Sequence, residues 1–365
     1  MDANKIARLR LALIPGLGPI SQLRLVRRFG CAAAVFENLA EVERLAGAGA
    51  AMALAEGTDA RLLDRTLAWL EDPSHRLVTI DEEEYPGLLR EIHDPPGLLY
   101  AIGHVELLRR PCVAIVGSRN ATIQGIHDAR AIASLLSAAG HTIVSGLALG
   151  IDAAAHEGGL ECASSSIAVT GTGPDLFYPR RNIALAKRLA AHGCIVTEFA
   201  LGTPPASGNF PRRNRLISGL ARAVLVVEAN DNSGSLLTAH SALEQNREVL
   251  AMPGSIHSPL AKGCHKLIKE GAALAEDAND VLDALGLARI GRAGSASKND
   301  EDPPDPLLHA LGFAPLSPDQ IALRTGLEAA TVAARLCRLQ IEGRVEQVAG
   351  GKFQRVEGGV VNRLI

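Results

Sequence analysis

Aromatic side chains are scarce in this sequence, at 3% of 365 residues, so any stacking surface rests on very few rings. Charge of one sign is lacking too: 37 basic residues face 40 acidic ones, a formal net charge of −3. That balance offers no global attraction for a polyanion, and a case for nucleic acid has to be local. The six cysteines (Cys31, Cys112, Cys162, Cys194, Cys264 and Cys337) include no Cys-x-x-Cys pair. They read as reduced thiols, which argues against a disulfide framework or a zinc site. The first residues, MDANKIARLRLALIPG, are too charged and too briefly apolar for a signal peptide. No apolar run reaches the ~20 residues of a membrane span. A cytoplasmic protein with no membrane partner is expected.

Hydrophobic residues, by contrast, are plentiful at 47%, and the length suggests two or three domains. Residues 1–75 show helical periodicity around Pro15-Gly16-Leu17-Gly18-Pro19. A Gly-rich turn between helices can offer backbone N–H groups to a phosphate, and the plainer alternative is a turn inside a small helical bundle. A connecting segment runs from Val78 to Tyr100. From residue 111, short β-branched runs alternate with helical stretches: Val113–Val116, Thr142–Ser145, Ile167–Thr170, Ile195–Thr197, Val224–Val227 and Glu248–Met252. Continuous apolar strands alternating with helices predict an α/β fold, a doubly wound, Rossmann-like parallel sheet covered on both faces, over 76–287. Residues 288–306 have linker composition. Over 307–365, a helix start at Ser317-Pro318, a turn at Thr325-Gly326 and two strands flanking Gly350-Gly351 predict a winged helix.

The strand-to-helix turns carry the chemistry. The first ends in Gly117-Ser118-Arg119-Asn120 and opens a helix. Its N–H groups and helix dipole favour an anion, Ser118 offers a hydroxyl, and Arg119 can grip a phosphate with two N–H groups. It is not GxGxxG, and no acidic residue ends the second strand to hold a ribose, so a dinucleotide site is poorly supported. The second turn, Ser145-Gly146 to Asp152, faces the first, and Asp152 and His156 share a helical face. Those two could form an acid–base or metal pair, but helix capping and packing explain Asp152 equally, and two ligands do not make a metal site. Between 176 and 215, seven basic residues meet one acidic residue, Glu198, a local +6 that includes Arg180, Arg181, Arg212, Arg213 and Arg215. Phe210 lies among these arginines, and a ring beside cations suits a nucleobase with its phosphate, a solvated basic face being the alternative.

In their order and spacing these strings resemble the DNA-processing protein A (DprA, also called Smf) family over nearly the whole chain. The runs are Tyr85-Pro86, Asp94-Pro95-Pro96, GSR at 117–119, SGLALGID at 145–152 and GTGPDLFYPRRN at 171–182. NFPRRNRLISGL at 209–220, SGSLLTA at 233–239 and MPG at 252–254 follow. The resemblance implies a helical sterile-alpha-motif-like or helix-hairpin-helix N-terminal domain, an extended Rossmann fold and a C-terminal winged helix. It further implies single-stranded DNA as the ligand, a homodimer through the Rossmann domain, and RecA recombinase as a partner in natural transformation. Carried over by motif, the DNA-facing residues are Gly117, Ser118, Arg119, Gly146, Phe210, Arg212, Arg213 and Asn214, with Arg215 free to pack against the sheet instead. One departure is His265, in Gly263-Cys264-His265, where the family pattern has asparagine.

No catalytic residue, metal or cofactor is expected. A phosphoribohydrolase on a related core would need a glycine run with its glutamate, and Ser233-Gly234-Ser235-Leu236-Leu237-Thr238 stands there instead. A duplex-DNA regulator acting through the winged helix is the other alternative, and the near-neutral charge of that unit does not favour it.

Overall fold

The computed structural model describes residues 2–290, 305–312, 315–348 and 350–356. Most of the expected linker, from 291 to 304, lies outside the described residues, as do residues 357–365 of the C-terminal unit.

Six helices open the chain: α1 (Ala3–Ala12), α2 (Pro19–Phe29), α3 (Ala32–Glu37), α4 (Leu39–Ala46), α5 (Ala48–Glu56) and α6 (Ala60–Trp69). Leu62, Leu63 and Trp69 of α6 pack with Leu77, Leu98 and Tyr100, whereas the apolar faces of α1 to α5 close on Leu11, Ile14, Leu17, Leu25, Val35 and Val42. The Pro15–Gly18 turn therefore carries Leu17 into this core. Ion pairs tie α1 to the next unit: Lys5 Nζ lies 2.6 Å from Glu82, and the buried Arg8 guanidinium lies 2.6 Å from Asp81.

Two strands the connecting-segment reading missed come next, β1 (His75–Thr79) and β2 (Leu98–Gly103), flanking the short α7 (Gly87–Arg90). They pair antiparallel with each other, and β2 pairs antiparallel with Cys194–Thr197, a strand much later in the chain, at one edge of the sheet. Tyr85 is buried beside them and donates its hydroxyl to Pro96 O at 2.7 Å.

The expected strands all form, as β3 (Cys112–Val116), β4 (Thr142–Ser145), β5 (Ser166–Val169), β6 (Cys194–Thr197), β7 (Ala223–Val226) and β8 (Glu248–Ala251), with the short β9 (Ala273–Leu274) added. The nine-stranded order is β1-β2-β6-β5-β4-β3-β7-β8-β9, with β3 to β9 mutually parallel. The crossovers are α8 (Ile123–Ala138), α9 (Ile151–Gly159), α10 (Ile183–His192), α11 (Asn209–Leu220), α12 (Gly234–Glu244) and α13 (Lys262–Lys269), and α14 (Ala278–Ala284) follows β9. Strand alternation sorts the two faces. Val113, Ile115, Ala223 and Leu225 pack under α8, α9 and α14, whereas Ala114, Val116, Val224 and Val226 pack under α11, α12 and α13. From β3 the chain winds outward to β6, then returns to lay β7 on the other flank of β3. The crevice between β3 and β7 is thus the switch point, where doubly wound sheets bind ligands.

The C-terminal unit comprises α15 (Pro306–Leu311), α16 (Pro318–Thr325), α17 (Ala329–Ile341) and the hairpin β10 (Val345–Val348) with β11 (Lys352–Arg355). Ser317 caps α16 by accepting Gln320 N–H at 3.2 Å, Gln320 returns the bond to Ser317 N–H, and Gly326 ends the helix left-handed. This is the expected winged helix, with α15 added before it.

Helices α8 and α9 cross where α9 carries Gly158, and a Cβ there would stand 2.1 Å from Arg130 O. Gly158→Ala is therefore expected to destabilise the chain by about 1–3 kcal/mol through overpacking. Urea unfolding should show a lower midpoint at unchanged slope.

Candidate nucleic-acid interface

A cleft of about 720 Å³ opens at the switch point. Its walls are the turn after β3, the segment leading into α12 after β7, the start of α11, and Tyr178. The turn after β3 leads to α8, whose cap Thr122 accepts Gly125 N–H at 2.9 Å. The turn after β7 leads to α12, capped by Ser233. The start of α12, at Ser233–Ser235, therefore borders the cavity, an arrangement that favours anions.

The second glycine turn forms the floor, and buried polar groups fix its shape. Asp152 Oδ2 accepts the N–H groups of Gly146 at 3.1 Å and Ala148 at 3.4 Å. His156 Nε2 accepts Leu147 N–H at 3.2 Å, and its Nδ1 meets Ser166 Oγ at 2.7 Å. Asn182 donates to Leu147 O and Ala148 O at 2.9 and 3.0 Å. These bonds hold Leu147 at φ 58°, an unfavourable value for a side-chain-bearing residue. Gly150 locks this turn to the first: its φ is +75°, and a Cβ would stand 2.3 Å from Ser118 O. Asp152 and His156 thus serve different backbone groups and do not form an acid–base or metal pair. Among the described residues there is no cluster of metal-ligating side chains.

Arg213 lies beneath this floor. Its guanidinium donates to Gly146 O at 2.5 Å, to Val169 O, and to Asn214 Oδ1 at 3.2 Å. A Cβ on Gly146 would sit 2.6 Å from that guanidinium, which is the reason for glycine there. Burial pushes the Arg213 pKa down to about 10, against the pull of Asp152, so it stays cationic at neutral pH. Burial also raises the Asp152 carboxyl, opposed by Arg213 and the turn's N–H groups. Asn214 donates to Gly234 O at 3.2 Å and so ties α11 to the start of α12.

Of the residues picked from sequence, Gly117, Ser118, Arg119, Phe210, Arg213 and Asn214 all line the cleft. Gly146 lies against Arg213, just beneath it. Arg212 does not line it: its Nε lies 3.1 Å from Glu198, and its guanidinium covers the Phe199 ring at 5.1 Å. Arg215 pairs with the same buried Glu198 at 2.6 Å and donates to Asp94 O at 2.7 Å. Only one cation of the FPRRNR run is therefore at the cleft, and it is buried. Arg119 is exposed, and its guanidinium stands 5.5 Å from the Phe210 ring. Phe210 in turn meets Tyr178 at 5.8 Å between ring centres. Two rings and a cation form one platform at the mouth of the cleft.

The sequence reading passed over Tyr178, Asn120, Asn182 and the Ser233–Thr238 wall as site residues. The small-residue run after β7 carried the usable signal, since it repeats the strand, turn and helix pattern of Gly117–Asn120. His265 holds Gly254 instead, with Nε2 3.0 Å from its carbonyl oxygen, and it lies away from the residues lining the cleft.

Fold and site together define a three-domain Rossmann-type protein with an anion-favouring, ring-edged cleft at its switch point. Residues 76–286 match the family model for DNA recombination-mediator protein A, residues 2–61 the DprA-like N-terminal HHH domain, and residues 292–351 the DprA winged helix domain. The chain belongs to the DNA recombination-mediator protein A (DprA/Smf) family. Protein Smf of Escherichia coli is 41% identical over 298 residues, covering 79% of this chain and 80% of that protein. Protein Smf of Synechocystis is 35% identical over 392 aligned residues, with 94% and 96% covered. The X-ray structure of DprA from Streptococcus pneumoniae superposes with a TM-score of 0.66 at 36% identity, covering 78% of this chain and 98% of that one. DprA from Helicobacter pylori, whose structure was described for its single-stranded DNA binding mode, gives a TM-score of 0.53 at 29% identity, with 58% and 95% covered.

The buried His156 gives the floor a pH signature. Burial, reinforced by Arg213, pushes its pKa down to about 3 from a usual 6.5. The unfolded chain takes up this proton below pH 6.5 and the folded chain does not, so stability falls as pH drops from 6.5 toward 3. His141, also lowered by burial, acts in the same direction, and Asp152 acts in the opposite one. Urea titrations at pH 7 and 4.5 should therefore show the wild type losing roughly 2–3 kcal/mol more than His156→Gln.

Proposed function

We propose that this chain is a non-catalytic single-stranded-DNA-binding protein of the cytoplasm that uses the switch-point cleft as its DNA site. The observation that carries this reading is the Arg119–Phe210–Tyr178 platform in a cleft bordered by the start of α12. A base can stack on the rings while its phosphate meets Arg119 and backbone N–H groups. Stacking suits any base, and unpaired bases alone can reach the rings, so single strands are preferred to duplex. The single-stranded DNA binding described for the Helicobacter pylori relative supports the same choice.

The geometry supports binding over catalysis. Asp152 is the carboxylate lining the cleft, and its Oδ2 is taken by two backbone N–H groups. It is buried beside Arg213, so its charge is met within the floor of the cleft. Family membership extends the proposal: the chain acts as a homodimer through its Rossmann domain and passes incoming single strands to RecA recombinase during natural transformation.

Fluorescence anisotropy with oligo-dT and a matching duplex tests the cleft. Single strands should bind more tightly than duplex, and Arg119→Ala should lose most of that binding. With about four phosphates engaged, log affinity should fall against log salt with a slope of roughly −3. Duplex preference, or normal binding by Arg119→Ala, would move the DNA site elsewhere. In the same assay Phe210→Ala should lose about 1–3 kcal/mol of binding free energy, the usual worth of one base stacked on an aromatic ring.

A further inference from the structure

The winged helix reaches the core through a carboxylate. Glu346, on β10, places Oε2 2.8 Å from Ile123 N, the first residue of α8. The residue is 4% exposed, and its other oxygen, Oε1, is buried without a hydrogen-bond partner. Beside it Glu228, just past the end of β7, accepts the Thr122 N–H at 3.0 Å and the Thr122 hydroxyl at 2.6 Å. Two carboxylates therefore crowd one helix start. Burial raises both carboxyls above the ordinary range, and Glu346 and Asp128 push Glu228 further the same way.

A half-satisfied buried carboxylate next to another carboxylate is costly. What offsets the cost is the helix start itself, whose N–H groups and dipole attract negative charge. That attraction is not specific to Glu346. Ile123 stands four residues beyond Arg119, just past the part of the turn that lines the cleft, which ends at Asn120. A phosphate here would bring more acceptor oxygens than a carboxylate and would also meet Arg119.

Resting on the reading of the cleft as a single-strand site, we propose that Glu346 is a latch. It holds the winged helix on the core by filling an anion seat at the start of α8, and a phosphate of the bound strand competes for that seat. Strand binding then releases the winged helix, and the docked winged helix weakens strand binding by the same factor. The winged helix is in this way a regulator of the cleft, not a second DNA reader beside it.

Hydrogen exchange and anisotropy on the full chain test the latch. In the wild type, saturating oligo-dT should speed amide exchange across Val345–Val348 while Ile123–Gly125 stay protected. Glu346→Ala should show the faster exchange at Val345–Val348 without DNA, and should bind oligo-dT about 5-fold or more tightly. Glu346→Gln keeps an acceptor for Ile123 without the charge and should fall between the two, and it provides the readout if the alanine variant folds poorly. Exchange at Val345–Val348 that ignores DNA, or Glu346 variants that bind as the wild type does while Arg119→Ala weakens binding, would overturn the latch and leave the cleft standing. Failure of every chain to bind oligo-dT would overturn the cleft reading, and the competition with it.

Discussion

The Arg213 guanidinium, buried under the second glycine turn, is the contact on which the site depends. It joins the carbonyl of Gly146, at the end of β4, to that of Val169, at the end of β5. It also lies close enough to Asp152 for each to shift the other's pKa. An uncompensated guanidinium at this depth would be very costly. Its compensation comes mainly from backbone carbonyls at strand ends, which only a correctly assembled sheet can supply. The floor of the cleft and the register of the parallel strands are therefore coupled. Gly146 has no side chain because the cation occupies that space, and Gly150 has none because the first turn does. Such a floor gives the exposed platform above it a rigid base, and its own charge is already committed.

That commitment changes what the basic segment means. Its seven cations look like one DNA-binding surface on paper, yet α11 distributes its three in different directions. Glu198, 2% exposed, takes both Arg212 and Arg215, and the strand ends take Arg213. The helical repeat explains the sorting. Phe210, Arg213, Asn214 and Ile217 follow i, i+3, i+4, i+7 and share the face that lines the cleft. Arg212 and Arg215 fall on another. The winged helix makes the same point: Glu346, read from sequence as one acid in a near-neutral unit, is buried against the core.

The parallel core was legible because a sheet buried on both faces needs continuous apolar strands, and Val113–Val116 or Val224–Val227 can be little else. The pair β1 and β2 was not. Pro86, Pro95 and Pro96 break the pattern between them, and β6, which pairs with β2, lies about a hundred residues further on. Turns that offer backbone N–H groups were legible at Gly117 and Gly146 through glycine and its neighbours. The role of Asn182 was hidden because it acts on a loop 35 residues away, and that of His156 because its bond to Leu147 N–H depends on how the turn folds back over α9. Side-chain direction in the FPRRNR run could have been read from the helical repeat. The partner that settles it, Glu198, could not.

A chain of net −3 can still present an anion site, because attraction at this range depends on local fields and not on net charge. Glu198 is buried against two arginines, Asp152 is buried against N–H groups, and Glu228 and Glu346 are both seated on the start of α8. Each of these acids faces a positive partner of the fold's own. What remains open to a ligand at the cleft mouth is Arg119, two rings and the start of α12. The acids near the site thus do not repel a strand so much as occupy places where one could bind. The place held by Glu346 differs from the others in one respect, since its occupant belongs to a separate domain and can leave without unfolding the sheet.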